Sequence, residues 1–118
     1  MEIKSALSAL GALAQESRLA VFRLLVKTGP DGMAAGDIAR ELDTAANTMS
    51  AQLLILSNAG LIHARREGRS IIYAANFEQM SELLVFLTQD CCGGRKEICA
   101  PLMQTVSQCC PPKKRSSR

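Results

Sequence analysis

Three cysteines near the C-terminal end offer the sharpest chemistry in the chain. Cys91 and Cys92 are adjacent, and Cys99 follows after Gly93-Gly94-Arg95-Lys96-Glu97-Ile98. Neighbouring Cα atoms lie about 3.8 Å apart, short of the roughly 4.4–6.8 Å usual for a disulfide, so the adjacent pair is poorly placed to bridge itself. The two thiols can instead converge on one soft ion. Consecutive residues of a helix point about 100° apart, so a helix reaching this pair must loosen there. Gly93-Gly94 permits that and lets the chain turn back, which brings Cys99 within reach as a third sulfur. Arg95 and Lys96 favour the thiolate, the form that ligates metals. Three thiolates suit As(III), whose lone pair disfavours a fourth strong ligand, and by extension Sb(III), whereas structural zinc usually takes four ligands. Soft thiolates also take Cu(I) and other thiophilic ions, and intracellular cysteines are often plain buried small residues. Cys109 and Cys110 form a second adjacent pair, read as incidental or accessory, and the lone His63 is expected to face solvent.

A different chemistry occupies the middle of the chain. Met49, Leu53 and Leu56 recur at helical spacing and define an inward stripe. Between and before them stand Asn47, Thr48, Ser50, Ala51 and Gln52, small or polar side chains that can approach base edges and phosphates. Farther on, Arg65, Arg66 and Arg69 cluster around Gly68. A cluster of like charges is ordinarily a solvated surface; beside a helix of this kind it becomes a candidate for phosphate contacts or for probing a minor groove.

The elements that must position these groups follow from periodicity and turn residues. Residues 3–13 read as an Ala/Leu-rich helix with Ile3, Leu7, Leu10 and Leu13 near one face, too apolar for a lone surface helix. Glu16 and Ser17 open a second helix, with Leu19, Phe22, Leu25 and Val26 as its inner face, ended by Gly29-Pro30-Asp31-Gly32. Met33-Ala34 is a brief strand, and 36–42 a short helix carrying Ile38, Ala39 and Leu42 inward. Asp43 and Thr44 turn the chain, with the Thr44 hydroxyl as the expected cap of the next helix. Asn58-Ala59-Gly60 stops that helix, Gly60 suiting a left-handed position. Two strands, 61–67 and 70–75, make a hairpin. Asn76 caps a last helix running to about Asp90, apolar over enough of its circumference, through Met80, Leu83, Leu84, Val85, Phe86 and Leu87, to imply a second buried face. The fold class is therefore mainly α (α+β): a winged helix-turn-helix of about five helices with a small β-hairpin wing.

The spacing Asn47-x-x-Ser50-x-x-Leu53-x-x-Leu56-x-x-Ala59-Gly60-Leu61-Ile62, followed by Arg65-Arg66-Glu67-Gly68-Arg69 and Tyr73, resembles the ArsR/SmtB family of metal-responsive repressors. The likeness continues upstream through residues 10–19 and covers about residues 5–92. It implies a homodimer joined through the first and last helices, with double-stranded operator DNA as partner and release of DNA on binding a thiophilic metal or metalloid. Many members carry paired cysteines before the recognition helix, and here 33–38 holds none. The placement of Cys91, Cys92 and Cys99 resembles instead an arsenite-responsive branch with ligands after the last helix.

Composition fits that outline. The chain has 118 residues, 3% aromatics and no Trp, so Leu, Ala, Val and Ile must fill a modest core, which favours helices. Residues 1–92 are expected to form the DNA-binding and dimerisation domain. Residues 93–118 are expected to hold the effector cysteines and a basic tail, disordered at least from Pro111. No secretory signal is visible and apolar runs such as 83–87 are too short to span a bilayer, so a cytoplasmic location and no membrane partner are expected. A thiol enzyme such as an arsenate reductase would need an anion-binding Gly-rich loop or a His/Asp partner for its cysteine, and none is apparent, so no catalytic role or cofactor is assigned. The competing expectation within DNA binding is a sensor of Cd(II), Zn(II), Cu(I) or oxidation of the vicinal thiols.

Overall fold

The computed structural model describes residues 1–88. Their order is α1 (Ile3–Leu13), α2 (Glu16–Thr28), β1 (Met33–Ala34), α3 (Ala35–Glu41), α4 (Ala46–Asn58), β2 (Ile62–Glu67), β3 (Ser70–Ala75) and α5 (Phe77–Thr88). Residues 1–84 form one compact unit; a second begins at Val85, within the last turns of α5. The strands make one antiparallel sheet in the order β1-β3-β2, so the predicted brief strand completes a three-stranded wing. Five helices and this sheet are the winged helix-turn-helix that the periodicity predicts. The expected domain boundary at 92/93 and the five cysteines lie outside the described residues.

Helix α4 is the hub of the first unit. Met49, Leu53 and Leu56 are buried, as their spacing requires, and α4 packs against α1, α2, α3 and β2. Val21, Phe22 and Leu25 of α2, Ile38 of α3, and Leu61, Ile62, Ala74 and Ala75 of the wing base complete the core. Leu19, expected inside, is 42% exposed, because the buried arc of α2 is centred on Val21, Phe22 and Leu25. In α1 the side turned to the domain is Ala6, Ala9 and Ala12, while Ile3 and Leu7 are more than half exposed. Small side chains let α1 lie close to its neighbours; Ile3 and Leu7 point away from them.

The turns set the direction of each element. Asp43, at φ +50°, makes the sharp turn between α3 and α4 in a conformation that Asp tolerates better than most residues. The expected Thr44 cap does not form. Helix α4 begins one residue later, with Ala45 as N-cap and no side-chain cap bond, and the Thr44 hydroxyl donates backward to the Leu42 carbonyl at 3.0 Å. Gly60, at φ +79°, takes the predicted left-handed position after α4. Asn76 caps α5, its Oδ1 accepting from the Gln79 amide at 3.1 Å, and its Nδ2 donates to the Gly60 carbonyl at 3.0 Å. One side chain thus fixes the start of α5 to the end of α4.

Candidate nucleic-acid interface

The outer side of α4 presents Asn47, Thr48, Ser50 and Ala51, all exposed, opposite the buried Met49-Leu53-Leu56 stripe. Their exposure follows from pitch: a helix with one stripe pinned in the core must turn the intervening residues to solvent. Asn47 Oδ1 accepts from the Thr48 amide at 2.9 Å, satisfying one donor of the first turn. Gln52 is placed differently. It is half-buried, and its Oε1 accepts from Arg18 Nη1 at 3.2 Å. Five residues expected to face DNA therefore divide into four on the open surface and one at the seam with α2.

The wing divides in the same way. Strand β2 lies at the sheet edge, and only Ile62 of it is buried. Arg66 pairs across the strands with Ile71, and Arg65 with Ile72, so the two arginines project from opposite faces of the hairpin. Arg65 Nε donates to Glu67 Oε2 at 2.7 Å and its Nη2 to the Asp31 carbonyl at 2.8 Å, which ties the wing to the turn after α2. Arg66 and the turn residue Arg69 are exposed and, among the described residues, neither makes a hydrogen bond or ion pair. Two long cations at the tip of a hairpin, in the same compact unit as an open polar helix face, are groups that can hold phosphates.

The two roles that sequence reasoning missed, those of Arg18 and Asp31, both act through partners more than 30 positions away. No local pattern reports such pairings. Metal chemistry has no seat in this unit. Residues 1–88 contain no cysteine, and no group of three or more His, Cys, Asp or Glu among the described residues could hold a metal ion. His63 is exposed on β2. Cys91, Cys92 and Cys99 fall outside the described residues, as do Cys109 and Cys110. No described helix is long and apolar enough to cross a membrane.

Comparison with known proteins agrees with this geometry. A helix-turn-helix domain family model matches residues 13–65, which run from the end of α1 into β2. A solution structure from Mycobacterium bovis is described as the homodimeric winged helix-turn-helix DNA-binding domain of a possible ArsR-family transcriptional regulator. It is 30% identical, with a TM-score of 0.62, the match covering 72% of this chain and 76% of that one. Reduced HlyU from Vibrio cholerae is 28% identical over 73% of this chain and 90% of that one, with a TM-score of 0.56. An ArsR-like transcriptional regulator from Rhodococcus sp. RHA1 shares the fold over 94% of this chain and 97% of its own, at 19% identity and a TM-score of 0.67. Among curated proteins no match was found. With the recognition helix and wing in place and this identity over most of the Mycobacterium domain, the chain belongs to the ArsR family of winged helix-turn-helix transcriptional regulators.

Proposed function

We propose that the protein is a homodimeric repressor of an arsenic-resistance operon, acting in the cytoplasm. In this reading it leaves its operator when As(III), or Sb(III), binds the thiolates of Cys91, Cys92 and Cys99. The observation that carries the DNA half is the open face of α4 together with Arg66 and Arg69, which are exposed and have no partner among the described residues. Asn47, Thr48, Ser50 and Ala51 enter the major groove, while the wing arginines hold backbone. The metalloid half rests on the ligand chemistry of the cysteines. Every thiol follows the DNA-reading unit in sequence, so replacing one leaves all the proposed reading residues unchanged.

Dimerisation supplies the second half-site. Ile3 and Leu7 on α1 and Leu84 and Val85 on α5 are 50–63% exposed. An open apolar groove of about 790 Å³, lined by residues including Leu13, Phe22, Met80 and Leu83, lies in the same unit as α1. Apolar surface of this extent fits an interface between copies, as does the homodimeric state of the Mycobacterium relative. A dimer reads two half-sites about one helical turn apart. Effector binding shifts this system only by favouring the form that binds DNA less well, and α5, the described element that precedes the cysteines in sequence, is the one through which it would do so.

The test is fluorescence anisotropy of a labelled duplex, selected from a random pool by the wild-type chain, titrated with arsenite at low thiol reductant. Cys99→Ser is expected to bind the duplex as the wild type does and to resist release, because a neutral hydroxyl does not replace a soft thiolate. Cys91→Ser and Cys92→Ser should behave alike, and the double variant Cys109→Ser/Cys110→Ser should release normally. Release of Cys99→Ser at the wild-type arsenite concentration, with loss of release in the tail variant, would overturn this assignment and move the effector site to Cys109 and Cys110. A second reading, reversible oxidation of the vicinal thiols, is favoured by the likeness to a relative described in its reduced form. Release by peroxide and not by arsenite would select it.

A further inference from the structure

The Arg18 side chain joins three helices. Its Nε donates to the Ala12 carbonyl at 2.6 Å, at the end of α1, and its Nη1 donates to Gln52 Oε1 at 3.2 Å, on α4. Its own backbone amide is held by Gln15 Oε1, the N-cap of α2, at 3.0 Å. Ala12 is in the last turn of α1, where carbonyls lack a partner within the helix. The guanidinium supplies one, and its rigid planar fork holds the second bond in fixed relation to the first.

The packing explains why such a tie matters. Helix α1 meets its neighbours mainly through Ala6, Ala9 and Ala12, a smooth strip of small side chains, with the half-buried Leu13 only at its end. Close approach is easy on such a strip, but rotation and sliding are weakly opposed. Directional hydrogen bonds at its end supply what shape does not. Gln52 sits one position before the buried Leu53, on the α2 side of the recognition helix, and its acceptor oxygen is already engaged.

We infer that Arg18 is a positioning residue that sets the roll of the recognition helix against α1, and that Gln52 serves DNA recognition as its acceptor, not as a reader of base edges. The inference rests on α4 being the recognition helix. It couples the helix proposed for the dimer interface directly to the helix that enters the groove.

The experiment uses the full chain and the duplex selected by the wild type, together with every single-base-pair substitution of that duplex. Gln52→Ala keeps a good helix former at a half-exposed site and is expected to fold. It should weaken binding roughly tenfold or more, the scale of losing a hydrogen bond to a charged group, by the same factor across the panel. Arg18→Lys retains the charge but not the fork and should give the same flat loss. The double variant should be no weaker than the weaker single one. Gln52→Glu, whose carboxylate accepts from the guanidinium, should keep the wild-type preference profile and more of its affinity than Gln52→Ala. Relaxed discrimination at one or two base pairs in Gln52→Ala would overturn the inference, as would losses that multiply in the double variant. A wild-type chain that selects no duplex would overturn DNA binding itself, and this inference with it.

Discussion

The recognition helix and the wing carry similar chemistry and are held in opposite ways. Helix α4 is fixed by burial: Met49, Leu53 and Leu56 are at most 2% exposed, and four other elements pack around them. The wing is fixed by backbone pairing along β2 and β3, by Ile62 at its base, and by Arg65 reaching the Asp31 carbonyl. In each region one residue that looks suited to DNA already has an intramolecular partner, Gln52 in the helix and Arg65 in the wing. A polar side chain on a recognition surface is open to DNA to the extent that intramolecular partners leave its donors and acceptors free. Proximity to the surface does not decide this; the intramolecular bonds do.

The largest expected effect lies on the helix side of this comparison. Leu53→Ala should cost about 2–5 kcal/mol of stability, the range for truncating a buried leucine. Leu54→Ala, at a site 60% exposed, should change it by about 0.5 kcal/mol or less. Urea unfolding of the two variants measures the contrast, and equal losses would mean that α4 is not anchored by its inner stripe.

Next comes the turn under the wing. Gly32 has φ +77°, and a Cβ there would meet the Tyr73 carbonyl oxygen at 2.5 Å and Ile72 Cγ2 at 2.9 Å. Gly32→Ala is expected to cost about 1–3 kcal/mol, the scale of a strained backbone position, and to disturb β3 before α4. Amide exchange should show faster opening in 70–75 while 49–56 stays protected. The reverse pattern would show that the wing does not depend on this close approach.

Smaller still are the effects of the wing arginines on DNA affinity. Arg66→Ala and Arg69→Ala should each weaken binding to all duplexes alike and reduce the slope of log affinity against log salt by about 0.9, one phosphate contact each. Arg65→Ala should leave that slope unchanged, since its guanidinium is committed to Glu67 and Asp31. Its cost in stability should be about 1 kcal/mol or less, as for exposed ion pairs. A slope reduced by Arg65→Ala and untouched by Arg66→Ala would reverse the division drawn on the wing.

Much of this molecule was determined by its sequence alone. The limits of α1, the span of β3, the two-residue β1, the Gly60 turn and the Asn76 cap all follow from local rules, because periodicity, φ preference and capping act within a few residues. The inner face of α4 follows from the same rules, since Met49, Leu53 and Leu56 recur at helical spacing while Leu54 and Ile55 fall off that stripe. Helix α1 was different. It has a stripe of leucines and a strip of alanines, and periodicity cannot rank them; the close approach of its neighbours selected the alanines. Thr44 has the chemistry of a cap, but the turn carried by Asp43 directs its hydroxyl to Leu42. The commitments of Arg18 and Arg65 were likewise set by tertiary structure, each bond spanning 34 positions. A side chain's type states which bonds it can make, and only the packed chain determines which partner arrives.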